Sequence, residues 1–146
     1  NMKVNELRIG NIVSAKTQFG VLPAKVVEMN LAYCLVDLID KKIAKGEWFG
    51  CKVDGGELKL IEPIPLTQEF FEKNGFIEQA RCNEYGTYMR STDLHTDVYE
   101  MKKSGGWIVH ISDDQYRVVF TKCIKYVHEL QNAYYLSTGK ELEIKL

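Results

Sequence analysis

Residues 63–76, PIPLTQEFFEKNGF, separate two kinds of sequence, and their reading decides the fold. Pro63 and Pro65 end any strand that reaches them, because proline gives no amide to a ladder and restricts the residue before it. Thr67 stands where an N-cap belongs, its hydroxyl placed to accept from the unpaired amides of a first helical turn. Leu66 and Phe71 have the N′ and N4 spacing of a hydrophobic staple. Gly75 can adopt the left-handed conformation of a C′ residue and fold Phe76 back on Phe71. The acid of a capping box is missing, since N3 is Phe70. The stretch predicts a two-turn helix at a junction between residues 2–64 and 65–146.

Upstream, short apolar runs alternate with glycine and charge: LRIGNIV (7–13), GVLPAKVVEM (20–29), YCLVDLI (33–39), WFGCKV (48–53) and ELKLIEP (57–63). Five strand candidates joined by tight turns predict a small, strongly bent β-barrel, SH3-like or similar. Asp54-Gly55-Gly56 suits a hairpin turn before the fifth strand. Pro23 weakens the start of the second strand or puts it at an edge.

Downstream, residues 78–86 are polar and irregular, and four strand candidates follow: TYMRS (87–91), DVYEMKK (97–103), GWIVHIS (106–112) and QYRVVFT (115–121). Hairpin-length links predict an antiparallel four-stranded meander. Alternation puts Tyr99, Met101, Trp107, Val109, Ile111, Tyr116, Val118 and Phe120 on one buried face. Val98, Glu100, Lys102, Ile108, His110, Arg117, Val119 and Thr121 then share the other face. In KYVHELQNAYYLSTGKEL (125–142), helical spacing gathers Ile124, Val127, Leu130, Gln131, Tyr134 and Tyr135 on one side. His128, Glu129, Asn132 and Ala133 point elsewhere. Gly139 ends that helix, and LEIKL (142–146) is read as a last short strand. The expected class is α+β, mainly β, with the four-stranded meander packed against two helices.

A hydrophobic content of 45% is enough for a globular core and excludes a disordered chain. Nineteen basic against 20 acidic side chains leave no overall positive field to draw the protein onto nucleic acid. No window approaches the ~20 apolar residues of a membrane span. Four separated cysteines with no C-x-x-C pair read as reduced structural thiols and point to a cytoplasmic protein. The signatures G-x-S-x-G, G-x-G-x-x-G, H-E-x-x-H and the Walker loop are all missing, so no catalytic residue and no cofactor are assigned.

Three sets of residues remain as candidates. Val98, Ile108, His110, Arg117 and Val119 make a sheet face too apolar for a wet surface and too charged for a core, which is the composition of an interface, whether with the N-terminal barrel or with another chain. The alternative working surface is the outer side of the last helix around His128 and Asn132. Lys41, Lys42 and Lys45 beside Trp48 form a local basic and aromatic patch suited to nucleic acid, although a solvated loop has the same composition. Asp93, His95 and Asp97 mix carboxylate and imidazole as a metal site would, and would serve a small hydrolase or metal-dependent enzyme. The same three residues make an ordinary polar loop.

The motifs LRIGNIV, LIEPIPLT with its helix ending in NGF, and IKYVHELQNAYYLSTGKEL resemble, in the same order, a group of small uncharacterised proteins. These are encoded in gut Bacteroidetes genomes, often in prophages and other mobile elements. The resemblance implies an accessory protein in a reducing cytoplasm and carries no site residues. The expected function is a non-enzymatic interaction module that binds a protein partner or itself, with a nucleic-acid-associated protein as the second reading.

Overall fold

A computed structural model describes residues 2–44, 46 and 48–146, and the backbone alone of Ala44. The chain divides into two compact units, Asn1–Ile64 and Pro65–Leu146. The fold is mainly β, with a nearly closed, barrel-like sheet in the first unit and a second sheet in the other.

The first sheet contains β1 (Met2–Lys3), β2 (Ile12–Thr17), β3 (Gly20–Met29), β4 (Tyr33–Leu38), β5 (Trp48–Asp54), β6 (Glu57–Leu58) and β7 (Ile61–Glu62). Their order is β1-β6-β5-β4-β3-β2-β7. β6 and β7 therefore lie near opposite edges, yet Leu58 and Ile61 are three residues apart, at most about 11 Å of extended chain. Only a sheet rolled almost into a cylinder satisfies both conditions. Inward-facing residues such as Val13, Val26, Val36, Leu38 and Ile61 are fully buried at its centre. Asp54 pairs with Glu57 across Gly55 and Gly56, both at positive φ as the tight hairpin demands.

Several local expectations change. ELKLIEP is two strands, not one. LRIGNIV enters the sheet only at Ile12, because the Asn11 carboxamide accepts the Arg8 amide at 2.7 Å and holds the preceding residues in a turn. Pro23 lies within a strand that has neighbours on both sides. It is tolerated there because the β3–β4 pairing begins only at Ala24. A short helix, α1 (Lys41–Ala44), follows β4.

The second unit opens with α2 (Gln68–Lys73). Its first turn is capped by Thr67 Oγ1, which accepts the Phe70 amide at 3.1 Å. Phe76 N donates to Phe71 O at 3.0 Å behind Gly75, whose φ is 83°. Phe71 is completely buried, 4.9 Å from the Phe76 ring and 4.7 Å from that of Trp107. The sheet comprises β8 (Ile77–Cys82), β9 (Gly86–Ser91), β10 (Thr96–Glu100), β11 (Trp107–Ser112) and β12 (Val118–Ile124), antiparallel in the order β12-β11-β10-β9-β8. It therefore has five strands where four were expected. The polar segment read as irregular forms β8, exposed throughout; polarity hid it because neither of its faces enters a core.

The final helix, α3 (Val127–Thr138), packs on β11 and β12. Glu129 Oε2 accepts the Lys125 and Tyr126 amides at its start, and Gly139 ends it at φ 70°. Its buried arc is Val127, His128, Leu130, Gln131 and Ala133, while Tyr135 is 42% exposed. The arc differs from the expected one because the helix begins at Val127 and Ile124 belongs to β12. LEIKL forms no strand. Asn74 instead holds it, donating to Lys145 O and accepting from Lys145 N, both at 2.8 Å.

Candidate functional site

The loop between β10 and β11 decides which side chains face out. It contains six residues, 101–106, so Glu100 pairs with Trp107, Val98 with Val109 and Tyr99 with Ile108. An even-numbered connection sets even positions of β10 beside odd positions of β11, and one residue of register exchanges the two faces of a strand. Val98 is accordingly in the core, with no exposed surface, beside Met89, Val109 and Ile111. The expected assignment of Val98 to the outer face and Tyr99 to the core is reversed.

The corrected outer face has two cross-strand rows. Arg90, Asp97 and His110 form one, and Tyr88, Tyr99 and Ile108 the other. The Tyr88 and Tyr99 rings stack with centroids 4.5 Å apart and 6° between planes, and His110 leans on Tyr99 at 5.3 Å. Arg90 Nε donates to Asp97 Oδ1 at 2.7 Å, the Tyr88 hydroxyl donates to the same oxygen at 3.1 Å, and the guanidinium lies 5.7 Å from the Tyr88 centroid. Burial, with the Asp97 charge, pushes the Tyr88 phenol up to about 12. The Asp97 carboxylate in turn holds the Arg90 guanidinium above its ordinary value. The result is a half-buried aromatic platform locked at one corner by an ion pair. No helix of its own unit is described over this face, since α3 and the Phe71 side of α2 meet the opposite side.

Ile108 and His110 are thus brought together, as expected, but among neighbours that alternation had assigned elsewhere. Arg117 is outside the face, in the β11–β12 loop, where its amide and its Nε both donate to the Asp113 carboxylate at 2.9 Å. These contacts, the Arg117 amide first, hold the Asp113 carboxyl below the usual carboxylate range. Val119 is exposed at the bulge where the β11–β12 register shifts. His128 is 2% exposed and stacks on Tyr126 at 5.9 Å, so it is no part of an outer helix surface; Asn132, one turn on, is half-buried. Tyr88 and Arg90 were missed altogether. The signal that finds them is the number of residues in the β10–β11 loop, which fixes the phase of the strands.

The metal-like set is not assembled as a site among the described residues. Asp97 is engaged with Arg90 and Tyr88, while His95 occupies a turn with its ring on Tyr116, centroids 5.6 Å apart. Among the described residues no group of three metal-ligating side chains comes together around Asp93, His95 and Asp97. On the barrel, Lys41 is paired with Asp37, Lys42 is exposed, and Trp48 is 56% exposed opposite Asp37 in the β4–β5 register. Lys45 lies outside the described residues. No helix among the described residues is long and apolar enough to cross a membrane.

No protein-family model matches the chain, and neither a curated protein nor a solved structure matches it.

Proposed function

We propose that the chain is a non-enzymatic interaction module that binds a protein partner through the outer face of its second sheet. The observation that carries this reading is the platform of Tyr88, Tyr99, Ile108 and His110 with the Arg90–Asp97 pair at its corner. Tyrosine and arginine dominate binding hot spots because they bury large area for few rotatable bonds. Here the stack and the ion pair already hold those side chains in place, which lowers the ordering cost of association. In this reading the barrel is of the SH3-like kind, and the resemblance of the sequence to mobile-element proteins gives the context of a cytoplasmic phage accessory protein.

Affinity capture from the host, with and without nuclease, tests the proposal when wild type is compared with Ile108→Glu and Tyr99→Ala. A defined protein recovered by wild type after nuclease, and lost in both variants, is the expected result. Equal recovery by all three proteins would move the working surface elsewhere. Sedimentation over a range of concentrations separates a foreign partner from a second copy. The exposure of both Trp48 and Lys42 favours nucleic acid as the second reading. Binding of that kind weakens steeply with salt as counterions are released from phosphates, and its absence at low salt removes the reading.

A further inference from the structure

Arg90 and Asp97 also border a pocket of about 210 Å³ at the turn end of the second sheet, with Thr92, His95, Ser112 and Tyr116 among its other walls. His95 and Tyr116 are the non-glycine residues with left-handed backbone among those described, at φ 48° and 59°. That region is sparsely occupied by residues with a side chain, and two bulky rings hold it here face to face, 5.6 Å apart and 10° from parallel. The frame is backbone: Ser112 N donates to His95 O and Tyr116 N to Asp113 O, each at 2.9 Å. Tyr116 is 80% exposed, so one ring face lies on His95 and the other is bare.

Elsewhere in the pocket lining, Arg90 Nε and the Tyr88 hydroxyl both meet Oδ1 of Asp97. Among the described residues no hydrogen bond takes up Oδ2 of Asp97 or the terminal amino groups of Arg90. A carboxylate oxygen and guanidinium N–H groups fixed side by side match a vicinal diol. One hydroxyl donates to the carboxylate while its neighbour accepts from the guanidinium, and both bonds are charge-assisted. A bare tyrosine face supplies the flat apolar surface on which the C–H side of a saccharide ring can lie. A few fixed polar groups beside an aromatic wall are the usual make-up of a small-molecule site.

We propose that this pocket binds a saccharide ring carrying a vicinal diol, a free hexose or the ribose of a nucleoside, with Arg90 and Asp97 holding the diol and Tyr116 stacking on the ring. The left-handed backbone at His95 and Tyr116 then serves to aim that stack. The site goes beyond the partner surface, and its own readouts are Tyr116 and Thr92, which lie outside the platform.

The test is a chemical-shift titration of isotope-labelled protein with methyl hexopyranosides, with adenosine and with 2′-deoxyadenosine. Saturable shifts at Thr92, Ser112 and Tyr116 with the hexosides or with adenosine are expected, and whichever class binds identifies the source of the ring. Asp97→Asn should weaken binding roughly tenfold or more, the scale of one lost charge-assisted contact, and Tyr116→Ala by a few-fold to about tenfold, the scale of one lost aromatic contact. Tyr116→Gly should lose binding while raising the Tm, because glycine accepts the left-handed backbone without strain. Saturable shifts with neither class, or equal affinity for 2′-deoxyadenosine and adenosine, would overturn the proposal. Ile108→Glu should bind these ligands normally, so the pocket and the partner surface fail separately.

Discussion

The two units of this chain solve the problem of a β-sheet's exposed groups in different ways. In the barrel unit the sheet rolls until its ends, β1 and β7, are strands of two residues, and alternate side chains fill the interior. Closure leaves little unpaired edge. The second sheet stays open, ends in strands of six and seven residues, and is helix-covered on one face only. Its other face holds the stacked tyrosines and the Arg90–Asp97 pair, and the turns at its rim carry the left-handed residues His95 and Tyr116. The difference teaches where to look for function: closure spends the side chains of a sheet on stability, whereas an open sheet keeps one face for other uses.

The largest test of this contrast removes the centre of each core. Phe71→Ala deletes a completely buried ring packed on Phe76 and Trp107 and should cost about 3–5 kcal/mol, read by urea unfolding. Leu38→Ala, its barrel counterpart, should cost about 2–5 kcal/mol. Amide exchange should accelerate most at β9–β11 in the first variant and at β3–β5 in the second. Acceleration spread evenly over both sheets in either variant would contradict two separate cores.

Alkaline pH sharpens the comparison further. Burial, reinforced by Cys51, pushes the Cys34 thiol in the barrel up to about 11, from an ordinary value of about 9. A thiol that keeps its proton in the folded state contributes stability that is whole below its ordinary pKa and is lost as pH rises through the folded value. Tyr88 in the second unit follows the same sign from about 10, its phenol standing at about 12. The barrel should therefore weaken first as pH passes about 9. Trp48 and Trp107 report on the two units separately in Trp48→Phe and Trp107→Phe variants, and simultaneous loss of both signals would remove the distinction. A smaller effect is expected at Thr67→Ala. Loss of the Phe70 amide's partner should cost about 1 kcal/mol, seen as a lower urea midpoint with an unchanged slope.

Local grammar was legible wherever neighbouring residues decide the structure. The α2 cap at Thr67 and the turns at Gly55-Gly56, Gly75 and Gly139 all follow from chemistry contained within a few positions. What depended on pairing at a distance was not legible in the same way. The face of Val98 depends on a register set by the whole 101–106 loop. β8 buries nothing and so leaves no alternation to read, and the buried arc of α3 depends on where β12 gives way to the helix. The candidate site suffered most, because Tyr88 and Arg90 acquire meaning only opposite Tyr99 and Asp97.

The most direct test of the account is urea unfolding of Val98→Glu and Ile108→Glu side by side, two residues on adjacent strands that the register places on opposite faces of one sheet. Val98→Glu should destabilise by several kcal/mol, since it forces a carboxylate into a fully buried site. Ile108→Glu should cost only about 1 kcal/mol, as expected for a half-buried position whose side chain can reach water. The reverse order would place Val98 outside and Ile108 inside, and with it dissolve the platform on which the proposed partner surface rests.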